Sequence, residues 1–246
     1  MPGMKGHLSI LVFLMACGGG SSGGGGDDGN SPDAPKVFMD APPNVPAMIK
    51  LSGVAEQQAQ SGSTPQAGVA IAILKRGTNE SLATATSDAQ GKYSMMVATN
   101  GAPVDAYLKA TKTGYVDTYA YPGGAWIADS TSADANMLDS GTYSLLVGFG
   151  GGSTSKGVIA IGVFDGSMQP VQGAKVESAP ASGVYKYSDD GGLPTGTDAT
   201  NTDGHAFMFD VPDGEVTVKA TKASASFKSH ALSAKAGAFT TTVITM

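Results

Sequence analysis

The stretch VDAYLKATK at residues 104–112 alternates two kinds of side chain. Every second residue from Val104 to Ala110 is small or apolar, and the residues between them are polar or aromatic. Successive side chains of a β-strand point to opposite faces, whereas a helix with 3.6 residues per turn would spread the apolar ones around its surface. The stretch therefore predicts a β-strand with one face in a core and the other in water.

Short runs of the same kind lie on both sides of this stretch and are separated by Gly, Pro, Asn and Asp. A spacing of about ten residues is typical of an antiparallel β-sandwich. We therefore predict an all-β fold, with strands in the first half near 48–55, 68–75, 81–87, 91–98, 104–112 and 115–120.

The second half of the chain repeats landmarks of the first half. About 110 residues separate the two copies, which is too long for a solenoid repeat and indicates two similar domains in tandem. The second copy carries about eight extra residues, and they fall in the loop YKYSDDGGLPTGTD at 185–198. The matching segments are PQAGV at 65–69 and PVQGA at 170–174, SDAQGKY at 87–93 and NTDGHAF at 201–207, and ATK at 110–112 and 220–222.

These segments, with SGV at 52–54 and GVIAIGV at 157–163, resemble the carboxypeptidase regulatory-like domains found in many surface proteins. The first copy also continues into Gly114-Tyr115, a pair typical of that family, which the second copy lacks. The resemblance implies two tandem sandwiches of prealbumin-like (transthyretin-like) type. Gly91 and Gly204 would supply the positive φ that a tight hairpin turn needs. Because the shared residues are structural, the resemblance implies no active site.

The chain begins with a leader whose apolar run, LSILVFLMA at 8–16, ends in a small residue. Nine helical residues span only about 14 Å of a bilayer core of roughly 30 Å, so the run is typical of a secretory signal peptide over 1–16. Cys17 follows Leu-Met-Ala, and this order resembles the lipobox of bacterial lipoproteins. The resemblance implies lipid on Cys17; an ordinary leader with an incidental cysteine is the alternative. The next residue, Gly18, is not acidic, so the signal that retains such lipoproteins in the inner membrane is absent. The resemblance therefore also implies the outer membrane or cell surface.

Residues 17–47 are rich in Gly, Ser, Pro and Asp and cannot bury enough apolar surface to fold, so they are predicted to form a flexible tether. The first sandwich is then predicted over 48–125 and the second over 157–246. Between them lies a linker, 126–156. In it Ser140 could cap a short helix that places Tyr143, Leu146 and Phe149 on one face, but TYSLLVGF is also compatible with a strand.

The composition excludes several classes of function. A net charge of −6 leaves no electrostatic basis for binding nucleic acid. The only histidines beyond the leader, His205 and His230, do not suit intradiol dioxygenases, the enzymes on a similar sandwich that bind iron through two tyrosines and two histidines. No hydrolase or nucleotide-binding motif occurs in the strand-to-helix context that such a site needs. We therefore expect no enzyme activity, no cofactor and no metal site. The acids of the enlarged loop, Asp189, Asp190 and Asp198–Asp203, either bind calcium or, by default, are solvated.

One row of residues is a candidate binding surface. Tyr115, Asp117, Tyr119 and Tyr121 share one face of the predicted strand, and Trp126 follows closely. A tyrosine combines a flat apolar ring with a polar tip, so an exposed row could stack on sugar rings or a protein partner while the carboxylate accepts hydrogen bonds. The alternative is that these rings pack against the linker, because aromatic side chains are buried when cover is available.

The sequence thus predicts a lipid-anchored bacterial surface protein that binds or supports without catalysis. Its expected partners are the membrane, through the N-terminal lipid, and an envelope polysaccharide or surface protein. The alternative is an accessory subunit that tethers or presents a partner enzyme at the cell surface.

Replacing Cys17 tests the anchor. We expect Cys17→Ser to move the exported protein from the membrane to the soluble fraction, because a lone cysteine after a leader has no disulfide partner and serine cannot carry the thioether-linked lipid. Fractionation of cells followed by washing of the membranes measures this. A variant that stays with the washed membranes would refute the anchor.

Overall fold

A computed structural model describes residues 44–59, 62–223 and 225–246 of the chain. The leader, Cys17 and most of the predicted tether lie outside the described residues. Within them, no helix is long and apolar enough to cross a membrane.

The all-β prediction is confirmed, with one short helix added. The strands are β1 (Met48–Ala59), β2 (Gly62–Pro65), β3 (Ala70–Lys75), β4 (Ser81–Thr86), β5 (Lys92–Ala98), β6 (Ala106–Thr111), β7 (Thr118–Tyr121), β8 (Ala135–Met137), β9 (Gly157–Phe164), β10 (Lys175–Ala179), β11 (Val184–Tyr187), β12 (His205–Val211), β13 (Gly214–Thr221), β14 (His230–Ala234) and β15 (Phe239–Thr245), and the helix is α1 (Ser140–Gly150).

The two halves of the chain share one sheet. The order of this eight-stranded sheet is β11-β12-β9-β15-β7-β6-β3-β4, so its first four strands come from the second half and its last four from the first half. A four-stranded sheet, β2-β1-β5 with β8 beside β1, and a three-stranded sheet, β10-β13-β14, complete the fold. A continuous sheet therefore runs through both halves. The domain limits expected at 125 and 157 stay a prediction.

Strand pairing repeats between the halves. The pairs β1–β5, β3–β6, β6–β7 and β1–β8 recur as β9–β12, β10–β13, β13–β14 and β9–β15. One strand departs from this pattern: β4 pairs with β3, whereas β11, at the start of the enlarged loop, pairs with β12 and not with β10. The fold is not purely antiparallel, since β8 and β15 each pair with their neighbours in parallel.

A buried hydroxyl holds the same turn in both copies. Ser87 Oγ accepts a hydrogen bond from the backbone N–H of Val69 at 2.9 Å, and Thr200 Oγ1 accepts one from Ala174 at 2.9 Å. Each hydroxyl also donates to a backbone carbonyl at 2.6 Å. The hydroxyl thereby satisfies two backbone groups that the adjacent strands leave unpaired.

The hairpin glycines have the positive φ that the sequence predicts, 74° at Gly91 and 69° at Gly204. A Cβ on Gly91 would lie 2.6 Å from the carbonyl oxygen of Ala55, and a Cβ on Gly204 would lie 2.6 Å from that of Val163. Glycine is therefore required at these turns for conformation and for space.

Different elements cover the two faces of the eight-stranded sheet, and one face is covered only in part. The four-stranded sheet packs over its first-half strands through Ile49, Ile71 and Leu108, and α1 packs over its second-half strands on the same face through Leu146 and its neighbours. The three-stranded sheet covers the second-half strands on the opposite face. The first-half strands β3, β4 and β6 are left partly open on that opposite face.

The alternation in residues 104–112 is confirmed on its core side, where Ala106, Leu108 and Ala110 are fully buried. The prediction that the opposite face is exposed to solvent is wrong at Tyr107, which is only 4% exposed. The reason is that Tyr107 joins the core of the second half.

In the linker, TYSLLVGF is part of helix α1, so the helical alternative is confirmed over the strand. Asp139, and not Ser140, caps α1, because its carboxylate accepts from the backbone N–H groups of Gly141 and Thr142. Tyr143 and Leu146 are buried as expected, but Phe149 is 49% exposed.

Two alanine substitutions separate conformation from space at these turns. We expect Gly68→Ala, at φ 70° with nothing near its Cβ position, to cost about 1 kcal/mol of stability. Gly91→Ala should cost about 1–3 kcal/mol more, because its Cβ also meets a backbone carbonyl. Urea unfolding of both variants measures the difference, and equal losses would contradict the steric account.

Candidate functional site

The predicted aromatic row is mostly inside the protein. Tyr119 is 8% exposed, Tyr121 is 3% exposed and Trp126 is 2% exposed. An exposed stacking surface made of these three rings is therefore wrong. The cover for the tyrosines is the core of the second half, which includes Ile159, and not the linker, whereas Trp126 packs in the first core.

Tyr121 shows how tightly this face is packed. Its ring stacks on Tyr107 with centroids 4.7 Å apart, and the Arg76 guanidinium lies 5.5 Å from its centroid. Burial raises the pKa of Tyr121, so its hydroxyl stays protonated and donates to the carbonyl oxygen of Ser233 at 3.3 Å.

The same residues shield the open edge of β14. Arg76 donates to the carbonyl oxygen of Ala231 while Tyr121 donates to that of Ser233. His230 Nε2 lies 2.7 Å from the hydroxyl of Thr242 in β15. Burial, with the positive charge of Arg76, lowers the pKa of His230 to about 4, so this imidazole is neutral at pH 7. These polar contacts belong to the joint between the halves, which we define as the region where β7 and Arg76 of the first half meet β14 and β15 of the second.

Only Tyr115 and Asp117 of the predicted row reach the surface. The half-buried Tyr115 hydroxyl lies 2.8 Å from Gln57 Oε1 and 2.9 Å from Gln66 Oε1. Asp117 forms an ion pair of 2.9 Å with Lys109, and the hydrogen bond to Asp117 raises the pKa of Lys109. Lys109 Nζ also lies 5.5 Å from the centroid of the Tyr119 ring.

Two shallow depressions adjoin this ion pair on the open part of the eight-stranded sheet. One, of about 460 Å³, lies over β3, β4 and β6, and the other, of about 650 Å³, lies beside Lys112 and Asp117. Thr111 lines both, so we treat them together as the β3–β4–β6 groove. Its lining comprises Ala67, Gly68, Ala70, Ile71, Ala72, Thr84, Ala85, Thr86, Lys109, Thr111, Lys112, Thr113 and Asp117.

The sequence contains a pattern that indicates this groove, but the prediction of a site considered only the aromatic row. In SLATAT at 81–86 the fourth and sixth residues are Thr84 and Thr86, and both are exposed. They lie opposite Ala72 and Ala70 of β3, which continue the same face. Alternation shows such a row of small polar residues but not whether another element covers it.

The groove offers hydroxyl groups, one lysine–aspartate pair and a floor of alanines. Such a lining can form hydrogen bonds with a polar ligand and lets flat groups approach the sheet closely. Across the described residues, no group of three or more His, Cys, Asp or Glu side chains is arranged to hold a metal ion.

Two acids of the enlarged loop, Asp189 and Asp190, have protein partners, and the partner of Asp190 is the side-chain amide of Asn201 at 2.8 Å. Asp189 accepts from the backbone N–H groups of Gly191 and Leu193 and from the hydroxyl of Thr195 at 2.6 Å. These hydrogen bonds, chiefly the one from Thr195, lower the pKa of Asp189. Its carboxylate thus orders the loop as part of a turn.

Comparisons with known proteins place the chain in no family. No protein-family profile matches it, and no curated protein matches it. Solved structures that align with it include the Bacillus anthracis TIE protein (14% identity, TM-score 0.25), a minor pilin of Streptococcus agalactiae (14%, 0.27) and a shaft pilin of Lactobacillus rhamnosus GG (10%, 0.26). Each alignment covers 80% of this chain, and 34%, 94% and 97% of the other chain respectively, so this chain spans about a third of the first protein. At these TM-scores the likenesses define neither family nor function.

Truncating Tyr119 tests its place in the joint. We expect Tyr119→Ala to cost about 3–5 kcal/mol of folding free energy, because the change leaves a cavity beside Tyr107 in the shared core. Thermal unfolding measures the loss, with Thr217→Ala on the exposed face of β13 as the control. An effect no larger than that of the control would mean that Tyr119 is a surface residue after all.

Proposed function

We propose that this protein is a non-catalytic binding module of the bacterial cell surface. A lipid on Cys17 and the segment 17–47 hold it at the outer membrane or cell surface, and the β3–β4–β6 groove binds a neutral envelope polysaccharide. The single observation that carries the proposal is the groove itself, a length of polar sheet surface that stays open where the same face is elsewhere covered by the three-stranded sheet.

The lining of the groove matches the chemistry of a sugar chain. Thr84, Thr86 and Thr111 offer hydroxyls that both donate and accept, as sugar hydroxyls do. Lys109 can donate to a sugar oxygen while Asp117 accepts from a sugar hydroxyl, and charged groups strengthen such bonds. With Tyr119 and Tyr121 buried, hydrogen bonding rather than ring stacking must supply most of the affinity.

Charge favours a neutral polymer over an acidic one. The chain has a net charge of −6, so a polyanion would be repelled over long distances. At the groove, the positive charge of Lys109 is paired with Asp117 at 2.9 Å, which leaves little attraction for phosphate or carboxylate groups.

The histidines support a role without catalysis. His230 is neutral and bonded to Thr242 within the joint. His205 Nδ1 lies 3.2 Å from the carboxylate of Asp203, next to the hairpin turn at Gly204. Each is accounted for by contacts that hold the fold, and neither lines the groove.

Co-sedimentation with insoluble envelope polysaccharide tests the proposal. We expect Lys109→Ala to weaken binding at least about tenfold, because it removes a charged donor and leaves Asp117 unpaired. Ala72→Trp, which fills the floor of the groove, should abolish binding. Both variants should unfold at nearly the wild-type temperature.

The second copy supplies a matched control. Lys219 precedes ATK at 220–222 as Lys109 precedes ATK at 110–112, and it forms an ion pair of 2.9 Å with Glu177 on an exposed face. We expect Lys219→Ala to bind as the wild type does. If both lysine variants bind equally, the groove is not the site. If the wild type retains an envelope protein and no polysaccharide, the ligand class is wrong.

A further inference from the structure

The β3–β4–β6 groove has an alanine floor between two polar rows. The floor is formed by two residues of β3, and each polar row is formed by the two residues that pair with them on a neighbouring strand. Across the sheet, the two sets of three residues are Thr86–Ala70–Thr111 and Thr84–Ala72–Lys109. The polar rows lie two strand spacings apart, or about 10 Å, and both run along the strands. A narrow linear chain therefore contacts both rows over the greatest length when it lies along β3.

One end of this groove is closed. The next pair on the same face of β3 and β6 is Leu74 and Tyr107, and both pack into the core of the second half. Beyond Leu74, the Arg76 guanidinium donates to the carbonyl oxygen of Ala231, so β14 is held against this end of β3. A chain that lies on the alanine floor cannot continue past Leu74.

The opposite end is open. Gly68 lies there, and among the described residues no atom comes within 4 Å of its Cβ position. Thr113, on the other side of the opening, is exposed. Lys112 also lines this end, but its ammonium donates to Gln66 Oε1 at 2.7 Å and is directed away from the floor. The groove is thus closed at Leu74 and open at Gly68.

The closed end is also the end at which the described chain begins. The backbone N–H of Thr99, just after β5, donates to the carbonyl oxygen of Ala47 at 3.0 Å. The loop after Thr99 leads into β6 at Ala106, which pairs with Lys75 beside the closed end. The segment before residue 44 therefore joins the protein at that end. With the anchor proposed above, the groove opens away from the membrane.

We propose that the groove receives the free end of a polysaccharide chain and not a stretch from its interior. This inference rests on the proposed function, because it concerns the same groove and the same class of ligand. An interior stretch has to leave the floor at both ends, and Leu74 blocks one of them. If it left sideways over β4, it would lose its hydrogen bonds to Lys109 and Thr111. A chain end can stop at Leu74 and keep its contacts with both polar rows.

Counting chain ends tests this inference. The probe is the insoluble neutral envelope polysaccharide of the co-sedimentation test, before and after partial acid hydrolysis, and a reducing-sugar assay counts the ends in each washed pellet. One cut per chain doubles the number of ends at equal mass. We expect the amount of protein bound at saturation to double, with an unchanged dissociation constant. Saturable binding whose amount does not change after hydrolysis would mean that the groove binds chain interiors, and it would overturn the inference.

Two lysine variants assign the added binding to the groove. Lys109→Ala should bind both forms of the polymer at least about tenfold more weakly than the wild type does. Lys219→Ala, the matched control, should show the same doubling as the wild type. If Lys109→Ala also doubles with wild-type affinity, the chain ends bind elsewhere and the inference is wrong. Failure of the proposed function has a different result, since neither form of the polymer would then show saturable binding, and the inference would fall with it.

Discussion

Strand β15 lies between the two halves of the protein and pairs in parallel with both β9 and β7. Its sequence, FTTTVIT, is rich in β-branched residues, and all but its last residue are buried. The equivalent strand of the first half, β8, has only three residues and pairs on one side. This difference in length allows the second half to extend its sheet onto the first, and the arrangement of every layer follows from that pairing.

The shared sheet is covered unevenly because the halves place their second sheets on opposite faces of it. Tyr107, Tyr119 and Tyr121 lie where the three-stranded sheet meets β6 and β7, so they become core. A few residues farther from the joint the same face is open, and the alanines and threonines of β3 and β4 form the groove. Whether a residue is buried or available to a ligand thus depends on its distance from the joint.

The joint also explains the polar residues that the core contains. Arg76 and Tyr121 donate to carbonyl groups on the edge of β14, and the neutral His230 bonds to Thr242. Buried polar groups are tolerated when they are paired in this way. Thr242 of the second half also donates to the carbonyl oxygen of Tyr121 at 3.2 Å, so side chains of both halves satisfy backbone groups across the joint, and the joint is specific as well as apolar. The β4 edge, at the far end of the same sheet, has no such partners among the described residues.

The sequence alone determined the local features of this protein. Alternation located the first-half strands, the repeated segments indicated two similar halves, and Gly91 and Gly204 marked turns that need positive φ, because period, turn chemistry and sterics act over a few neighbouring residues. Tertiary structure decided the rest. Tyr119 is buried in the core of the second half, whose members, such as Ile159, Val218 and Ile244, lie far along the chain, and no local pattern states whether the polar face of a strand will meet water or another sheet. The aromatic row was therefore misjudged and the groove was missed, since both depend on how two similar halves join.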